Sequence, residues 1–252
     1  MGYTIALAGK GGTGKTTIAA FLVNYLRSRA KGSVLAIDAD PNTTLGQALA
    51  GVDPNTTVVD ILDNVAALRG ALPAGMSKNR YIEYETQLSL AEGEGYDLLA
   101  MGRPEGPGCY CYANTVLRGV IEKFQKHYHY VVIDNEAGME HLSRRTTRTV
   151  DMLLVVSDFS AVGVRSAKRI SDLAHEMKLT IAHTHLLLNM ATGSADRLAD
   201  EIRTTGLALM GVVSFDEELQ RLSLLGKPVV ASDRKSRSEE EFDRIIARYV
   251  HV

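Results

Sequence analysis

Tyr3-Thr4-Ile5-Ala6-Leu7-Ala8-Gly9-Lys10-Gly11-Gly12-Thr13-Gly14-Lys15-Thr16 opens with a short apolar run, passes through a glycine-rich turn and enters a helical pattern that continues to Arg29. Gly9 to Thr16 satisfies the phosphate-binding loop pattern, and the pattern lies where its mechanism needs it, after a strand and before a helix. The glycines permit a tight wrap that points backbone N–H groups at phosphate oxygens. The helix that follows adds the partial positive charge of its N-terminus. Lys15 is expected to reach the β- and γ-phosphates of a nucleotide, and the Thr16 hydroxyl is expected to ligate Mg²⁺. A turn that is merely rich in glycine has neither this spacing nor this context.

The same alternation continues along the chain. Short apolar runs at Tyr3 to Ala8, Ser33 to Ile37, Tyr96 to Ala100, Tyr130 to Ile133, Met152 to Val156, His185 to Leu188 and Leu209 to Val213 read as strands. Most are continuous in Val, Ile and Leu, which fits strands covered on both faces. Helical patterns fall at Thr16 to Arg29, Thr115 to Lys126, Val164 to Met177, Ala195 to Thr204 and Ser238 to Val250. The expected fold is α/β, a doubly wound and mostly parallel sheet with helices on both faces. On such sheets ligands sit at the carboxyl ends of the strands. Residues 1–252 read as one domain, with an irregular helical and loop excursion at about 51–108, where the pattern is least periodic and Pro54, Pro73, Pro104 and Pro107 fall. In the last segment Phe242, Ile245, Ile246, Tyr249 and Val250 share a helical face opposite mixed charges, so it is expected to dock on the sheet.

Composition narrows the function classes. The chain has 252 residues, 45% hydrophobic and 23% charged, enough for a full core. With 28 Lys+Arg against 30 Asp+Glu the net charge is -2, which argues against a nucleic-acid partner. No apolar run approaches the length of a membrane span, roughly 18 residues. Met1-Gly2-Tyr3-Thr4-Ile5 lacks the basic start and apolar stretch of a secretory signal, and Ala6 breaks the myristoylation pattern. Two cysteines exclude a disulfide scaffold. A cytoplasmic location is expected, with no membrane partner.

Lys10 makes the loop more specific. Lys10-Gly11-Gly12-Thr13-Gly14-Lys15-Thr16 resembles the deviant P-loop of the MinD, ParA and nitrogenase iron-protein class of ATPases. The resemblance implies that Lys10 reaches across a dimer interface to the partner's nucleotide. It also implies that the working form is a homodimer with ATP or ADP sandwiched in it. Gly11, Gly12, Thr13, Gly14, Lys15, Thr16 and Thr17 are the expected nucleotide contacts. Asp38-Ala39-Asp40-Pro41-Asn42 resembles the class's first switch, which implies that Asp40 positions the attacking water and Asp38 supports the Mg²⁺ shell. Val131-Val132-Ile133-Asp134 is a buried strand ending in an acid, the form of a carboxylate that organises Mg²⁺. Asn135-Glu136-Ala137-Gly138 then reads as a second switch, with Gly138 free to swing toward the γ-phosphate. Singly, each acid reads as a cap or turn residue. At successive strand ends beside a phosphate loop they read as one site. Leu186-Leu187-Leu188-Asn189 resembles the strand whose asparagine hydrogen-bonds adenine, and Ser214-Phe215-Asp216-Glu217 stands where the class has its adenine-edge loop, with Ser214 in place of the usual proline.

Both cysteines lie in Gly108-Cys109-Tyr110-Cys111-Tyr112. Cysteines two apart rarely bond to each other, because the ring is strained. They can chelate a thiophilic metal, but two thiolates leave a tetrahedral ion half coordinated. Two such loops meeting on a two-fold axis would make a Cys₄ site. Softness alone does not choose between Zn²⁺ and Ni²⁺ there.

Cys109-Tyr110-Cys111 with Ala113-Asn114, the Asp38-Ala39-Asp40-Pro41 stretch, and Ala137-Gly138-Met139-Glu140-His141-Leu142-Ser143-Arg144 are similar to CooC-type proteins. These are ATPases that aid nickel insertion into carbon monoxide dehydrogenase, including the enzyme of the acetyl-CoA synthase complex. The resemblance runs from Tyr3 to the last helix, and the pairing of deviant loop and Cys-x-Cys is its most specific part. It implies ATP hydrolysis coupled to dimerisation and to the handling of Ni²⁺, with carbon monoxide dehydrogenase as partner. Two rivals share the chassis. An iron–sulfur electron donor of the nitrogenase-reductase kind would use two widely separated cysteines per subunit, and a MinD- or ParA-like positioning ATPase leaves the Cys-x-Cys loop unexplained. The pairs His127/His129 and His183/His185 have a spacing that puts each on one face of a strand, where edge positions are commonplace. His141 falls within the second-switch match.

Overall fold

The computed structural model describes residues 2–49, 52–68, 72–103, 119, 122–124, 126–136, 149–177, 179–230 and 234–250. Its frame is an eight-stranded sheet. In chain order the strands are β1 (Tyr3–Ala8), β2 (Val34–Asp38), β3 (Ala91–Gly93), β4 (Tyr96–Ala100), β5 (Tyr130–Asp134), β6 (Thr149–Asp158), β7 (Thr180–Ala191) and β8 (Ala208–Ser214). They lie side by side in the order β3-β4-β2-β5-β1-β6-β7-β8. All neighbours are parallel except β3 and β4. The sheet is therefore the mostly parallel one expected. The chain leaves β1 toward one edge and returns from β6 toward the other. The carboxyl end of β1, between β5 and β6, is the crevice where such sheets bind ligands.

The continuous apolar runs are buried on both faces, as parallel strands require. Ile5, Leu7, Ala36 and Val132 belong to one apolar cluster, with Phe21 and Leu22 of α1 (Lys15–Arg29) and Phe242 and Ile246 of α8 (Arg237–Ile246). Ala6, Ala8, Ile37 and Ile133 face the other cluster, with Val164, Ala167 and Ile170 of α5 (Ala161–Glu176). The rings of Phe21 and Phe242 meet at 6.2 Å and join α1 to α8. The apolar face of the last helix is thus spent on the core. Among the described residues no helix is long and apolar enough to cross a membrane.

Several elements go beyond the sequence patterns. β6 and β7 run well past their apolar cores, because ladder pairing from Thr149↔Thr180 to Asp158↔Asn189 satisfies backbone groups whatever the side chain. Between β2 and β4 lie α2 (Thr44–Ala48), α3 (Val58–Ala67) and α4 (Lys78–Leu88). The start of α3 carries a capping box, Thr57 with Asp60, and Ser77 caps α4. A small cluster of Ile61, Val65 and Ile82 holds these two helices together. Of the pattern at Thr115 to Lys126, residues 119 and 122–124 are helical, Lys126 is a turn residue and the others lie outside the described residues. The pattern at Ala195 to Thr204 is a 3₁₀ turn (Ala195–Leu198) followed by α6 (Ala199–Thr205). The short helix α7 (Glu217–Leu224) carries no buried residue and lies between the helical patterns read from the sequence.

Candidate phosphate site and adjoining cleft

Between β1 and α1 the chain turns through Gly12 and Gly14, at φ 80° and 82°. Both are in the left-handed region, which only glycine enters without strain. Gly9 is required for another reason: a Cβ there would lie 2.3 Å from the Val156 carbonyl oxygen on β6. α1 has no side-chain cap and no acid in its first turn. Its leading N–H groups and dipole therefore face the loop uncompensated, which suits an anion. The Lys10 carbonyl accepts from the Thr13 hydroxyl (3.0 Å) and from Lys15 Nζ (3.2 Å), so the loop closes on itself around the buried lysine. Burial lowers the Lys15 pKa, against the opposing charges of Asp134, Asp40 and Glu136. The Lys10 side chain is exposed at the surface of the loop.

Asp38 and Asp134 end β2 and β5 and stand opposite each other in register. Both are buried. Burial, reinforced by the charge of Asp134, pushes Asp38 up to about 7, against N–H donation from Leu45 (2.7 Å) and Asp40 (3.1 Å). Burial likewise raises Asp134 to about 6, against the Thr16 hydroxyl (2.6 Å) and Lys15. Asp134 Oδ1 is buried with no hydrogen-bond partner. An unpartnered carboxylate oxygen beside a threonine hydroxyl and a second acid is a donor set for a hard, oxygen-seeking cation such as Mg²⁺. These residues fit that ion. Asp40 is half-buried, and its Oδ1 accepts from the backbone and side chain of Asn42 (2.8 and 2.9 Å). Just beyond, Thr43 has φ 49°, a left-handed conformation that a β-branched residue adopts only under strain.

On the other side of the loop is a cleft of about 360 Å³, lined by Gly12, Gly14, Thr17, Asn189, Phe215 and α7 among others. Asn189 is buried, and its Nδ2 donates to the Thr13 carbonyl (2.9 Å), so it braces the phosphate loop as well as lining the cleft. The register of β7 on β8 slips between Leu188 and Ala191, and Met190 takes φ 54°. That irregularity lies at the point where Asn189 meets the loop, a usual place for a bulge. Ser214, Phe215 and Asp216 form the far wall.

The structure thus brings Gly11, Gly12, Thr13, Gly14, Lys15, Thr16 and Thr17 together with Asp38, Asp40, Asp134 and Asn189 around one crevice. Cys109, Cys111, Gly138 and His141 lie outside the described residues. Among the described residues no group of three or more His, Cys, Asp or Glu is arranged to hold a metal. His129 Nδ1 accepts from Ser33 N–H (3.2 Å), and His185 packs edge-on against Tyr249. His129 immediately precedes β5, and His185 lies in the middle of β7. Sequence reading passed over Thr44, whose hydroxyl lies 3.5 Å from that of Thr16, and did not single out Asn135, which donates to the Leu7 carbonyl (2.7 Å) and ties β5 to β1. It also missed Ser238 and Glu241 of α8, which hold the far wall of the cleft. Only their place after the last strand could have pointed to them.

A family profile described as the CobQ/CobB/MinD/ParA nucleotide-binding domain matches residues 4–229. An uncharacterized ATP-binding protein of Methanocaldococcus jannaschii is 42% identical over 228 residues, covering 89% of this chain and 89% of its own length. The carbon monoxide dehydrogenase accessory protein CooC of Rhodospirillum rubrum is 28% identical over 233 residues, covering 88% of this chain and 87% of its own. Among solved structures, the septum site-determining protein MinD of Pyrococcus horikoshii, complexed with Mg-ADP, matches with a TM-score of 0.69 at 19% identity. That match covers 98% of this chain and 96% of the other, and it is a likeness of fold.

Proposed function

The chain belongs to the CobQ/CobB/MinD/ParA nucleotide-binding family, and from that premise we propose that it is a homodimeric ATPase that couples ATP hydrolysis to insertion of nickel into a carbon monoxide dehydrogenase. The observation that carries the ATPase half is the grouping of Lys15, Thr16, Asp38 and the unpartnered oxygen of Asp134 at one helix N-terminus. The loop amides and Lys15 hold the phosphate charge. Thr16 and Asp134, with Asp38 in support, would hold Mg²⁺, which would supply further charge neutralisation to the phosphates. Asp40 orients a water that attacks the γ-phosphorus, and the bond to the β–γ bridging oxygen breaks to give ADP and phosphate. Lys10, exposed on the loop, acts on the partner's nucleotide.

The nickel half rests on the Cys109–Cys111 pair and on the CooC relative. Nickel is the cargo. Two Cys-x-Cys loops on the dimer axis hold it, and nucleotide turnover changes the geometry of the four thiolates so that the ion passes on. Because the coupling is reciprocal, metal affinity depends on nucleotide and nucleotide affinity on metal.

Anaerobic size-exclusion chromatography with metal analysis tests both halves, with Ni²⁺ or Zn²⁺ added, with and without ADP or ATP, beside the Cys109→Ser/Cys111→Ser variant. One metal ion per dimer, lost in the variant and sensitive to nucleotide, is the expected result. Nucleotide-driven dimers with no thiol-dependent metal would leave the ATPase and sink the nickel assignment.

A further inference from the structure

The far wall of the cleft is Ser214-Phe215-Asp216, the last residue of the edge strand β8 and the two residues that join it to the exposed helix α7. On one side β8 is paired to β7 as far as Ala191↔Ser214, and on the other α7 buries no residue. The wall's further anchorage comes from the first turn of α8. Ser214 N–H donates to Glu241 Oε2 (2.8 Å), and the Ser214 carbonyl accepts from the Ser238 hydroxyl (2.8 Å). Asp216 divides its carboxylate. Oδ2 accepts from Ser238 N–H (3.3 Å), and Oδ1 caps α7 through the N–H groups of Glu218 (3.0 Å) and Leu219 (3.3 Å). Phe215 N–H donates to the Ala191 carbonyl (2.9 Å), on the strand that carries Asn189. Arg237 Nε holds the other oxygen of Glu241 (3.1 Å). α8 itself is fixed, with Phe242 and Ile246 fully buried in the core.

We propose that Glu241, together with Ser238 (which also lines the cleft), is a positioning residue for the nucleotide base, the two forming a clamp on the backbone of Ser214 that sets the wall against which the base is read. The inference rests on the nucleotide-binding reading above. Both polar backbone groups of Ser214 are taken by the clamp, so the wall offers a fixed shape and not a mobile loop. Preorganisation of this kind is worth most to the ligand that fits the wall and least to one that does not. Glu241 touches neither the phosphate loop nor the acids that face it, so its effect reaches the ligand only through the wall.

The test measures Kd for ADP and for GDP by calorimetry on the full chain and on the Glu241→Ala, Ser238→Ala and Glu241→Gln variants. Loss of one hydrogen bond to the wall is expected to weaken ADP about five- to tenfold in each alanine variant. GDP is expected to weaken less, so the ADP/GDP preference falls. Glu241→Gln keeps an acceptor for the Ser214 N–H and is expected to stay close to the wild type in both. A wild-type chain that binds neither nucleotide would overturn the nucleotide reading and the clamp with it. ADP binding that the alanine variants leave unchanged, or equal weakening of both nucleotides, would overturn the clamp alone.

Discussion

Asp134 shows what a buried acid costs a folded chain. Its Oδ1 is buried without a partner, and the acid opposite it, Asp38, is pushed up to about 7 while Asp134 itself rises to about 6. Raised carboxyl values mean that the folded protein keeps protons that the unfolded chain releases near 3.8. The folded state is therefore favoured at low pH, and that advantage is lost as pH rises from about 4 to about 7. Without nucleotide, the Tm is expected to fall across this window. Asp134→Asn removes one of the two charges while leaving an acceptor for Thr16. It should stabilise the nucleotide-free protein at pH 8 by on the order of 1 kcal/mol, seen as a higher Tm, and flatten its pH dependence. The same change should abolish Mg²⁺-dependent nucleotide binding. A variant that is less stable at pH 8 and still binds would contradict both expectations. Asp40 differs, because its bonds run to Asn42 in its own turn. Asp40→Ala should leave the fold intact and lose on the order of 100-fold in ATP turnover, measured as phosphate release at saturating ATP. Turnover at the normal rate would remove Asp40 from the water-positioning role.

At the scale of elements, the join between α1 and α8 is the place where the phosphate site meets the core. α1 presents its N-terminus to the phosphate loop and its flank to α8, where the Phe21 ring lies 6.2 Å from that of Phe242. Phe242 is fully buried. Phe242→Ala should cost about 3–5 kcal/mol by denaturant titration, the lost transfer energy together with that of the cavity left behind. A cost under about 1 kcal/mol would mean that α8 does not anchor this face. This contact was half legible. The spacing of Phe242, Ile245 and Ile246 announces an amphipathic helix, and mixed charge on its other side points to docking on a sheet. Nothing in the spacing says that the partner is Phe21 or that the helix's first turn reaches the cleft wall. Helices α3 and α4 fall within the stretch at about 51–108 that reads as helical and loop, without bounds, and α2 and α7 are too short to stand out. The caps of α3 and α4, Thr57 with Asp60 and Ser77, are start signals that the reading did not use.

For the molecule as a whole, a ligand that binds only the folded state stabilises it by mass action. Mg-ADP at about 100 times its Kd should add about 2.7 kcal/mol and raise the Tm accordingly. Lys15→Met should erase that rise, because in the proposed site the lysine at the centre of the loop is the charge assigned to the phosphates. An equal rise in the variant would place the nucleotide elsewhere. The sequence by itself determined the sheet class, the phosphate loop and the acids at the ends of β2 and β5. Those properties follow from local rules: buried parallel strands are continuously apolar, and a loop that wraps phosphate needs glycine where φ is positive. Tertiary structure alone decided that Asp38 and Asp134 stand in register across two strands distant in the chain. It also decided that Asn189 braces Thr13 and that Glu241 and Ser238 hold Ser214. The physical reason is the same in each case. These contacts join residues 24 to 176 positions apart, and their partners are chosen by strand order and helix docking, which no local pattern encodes.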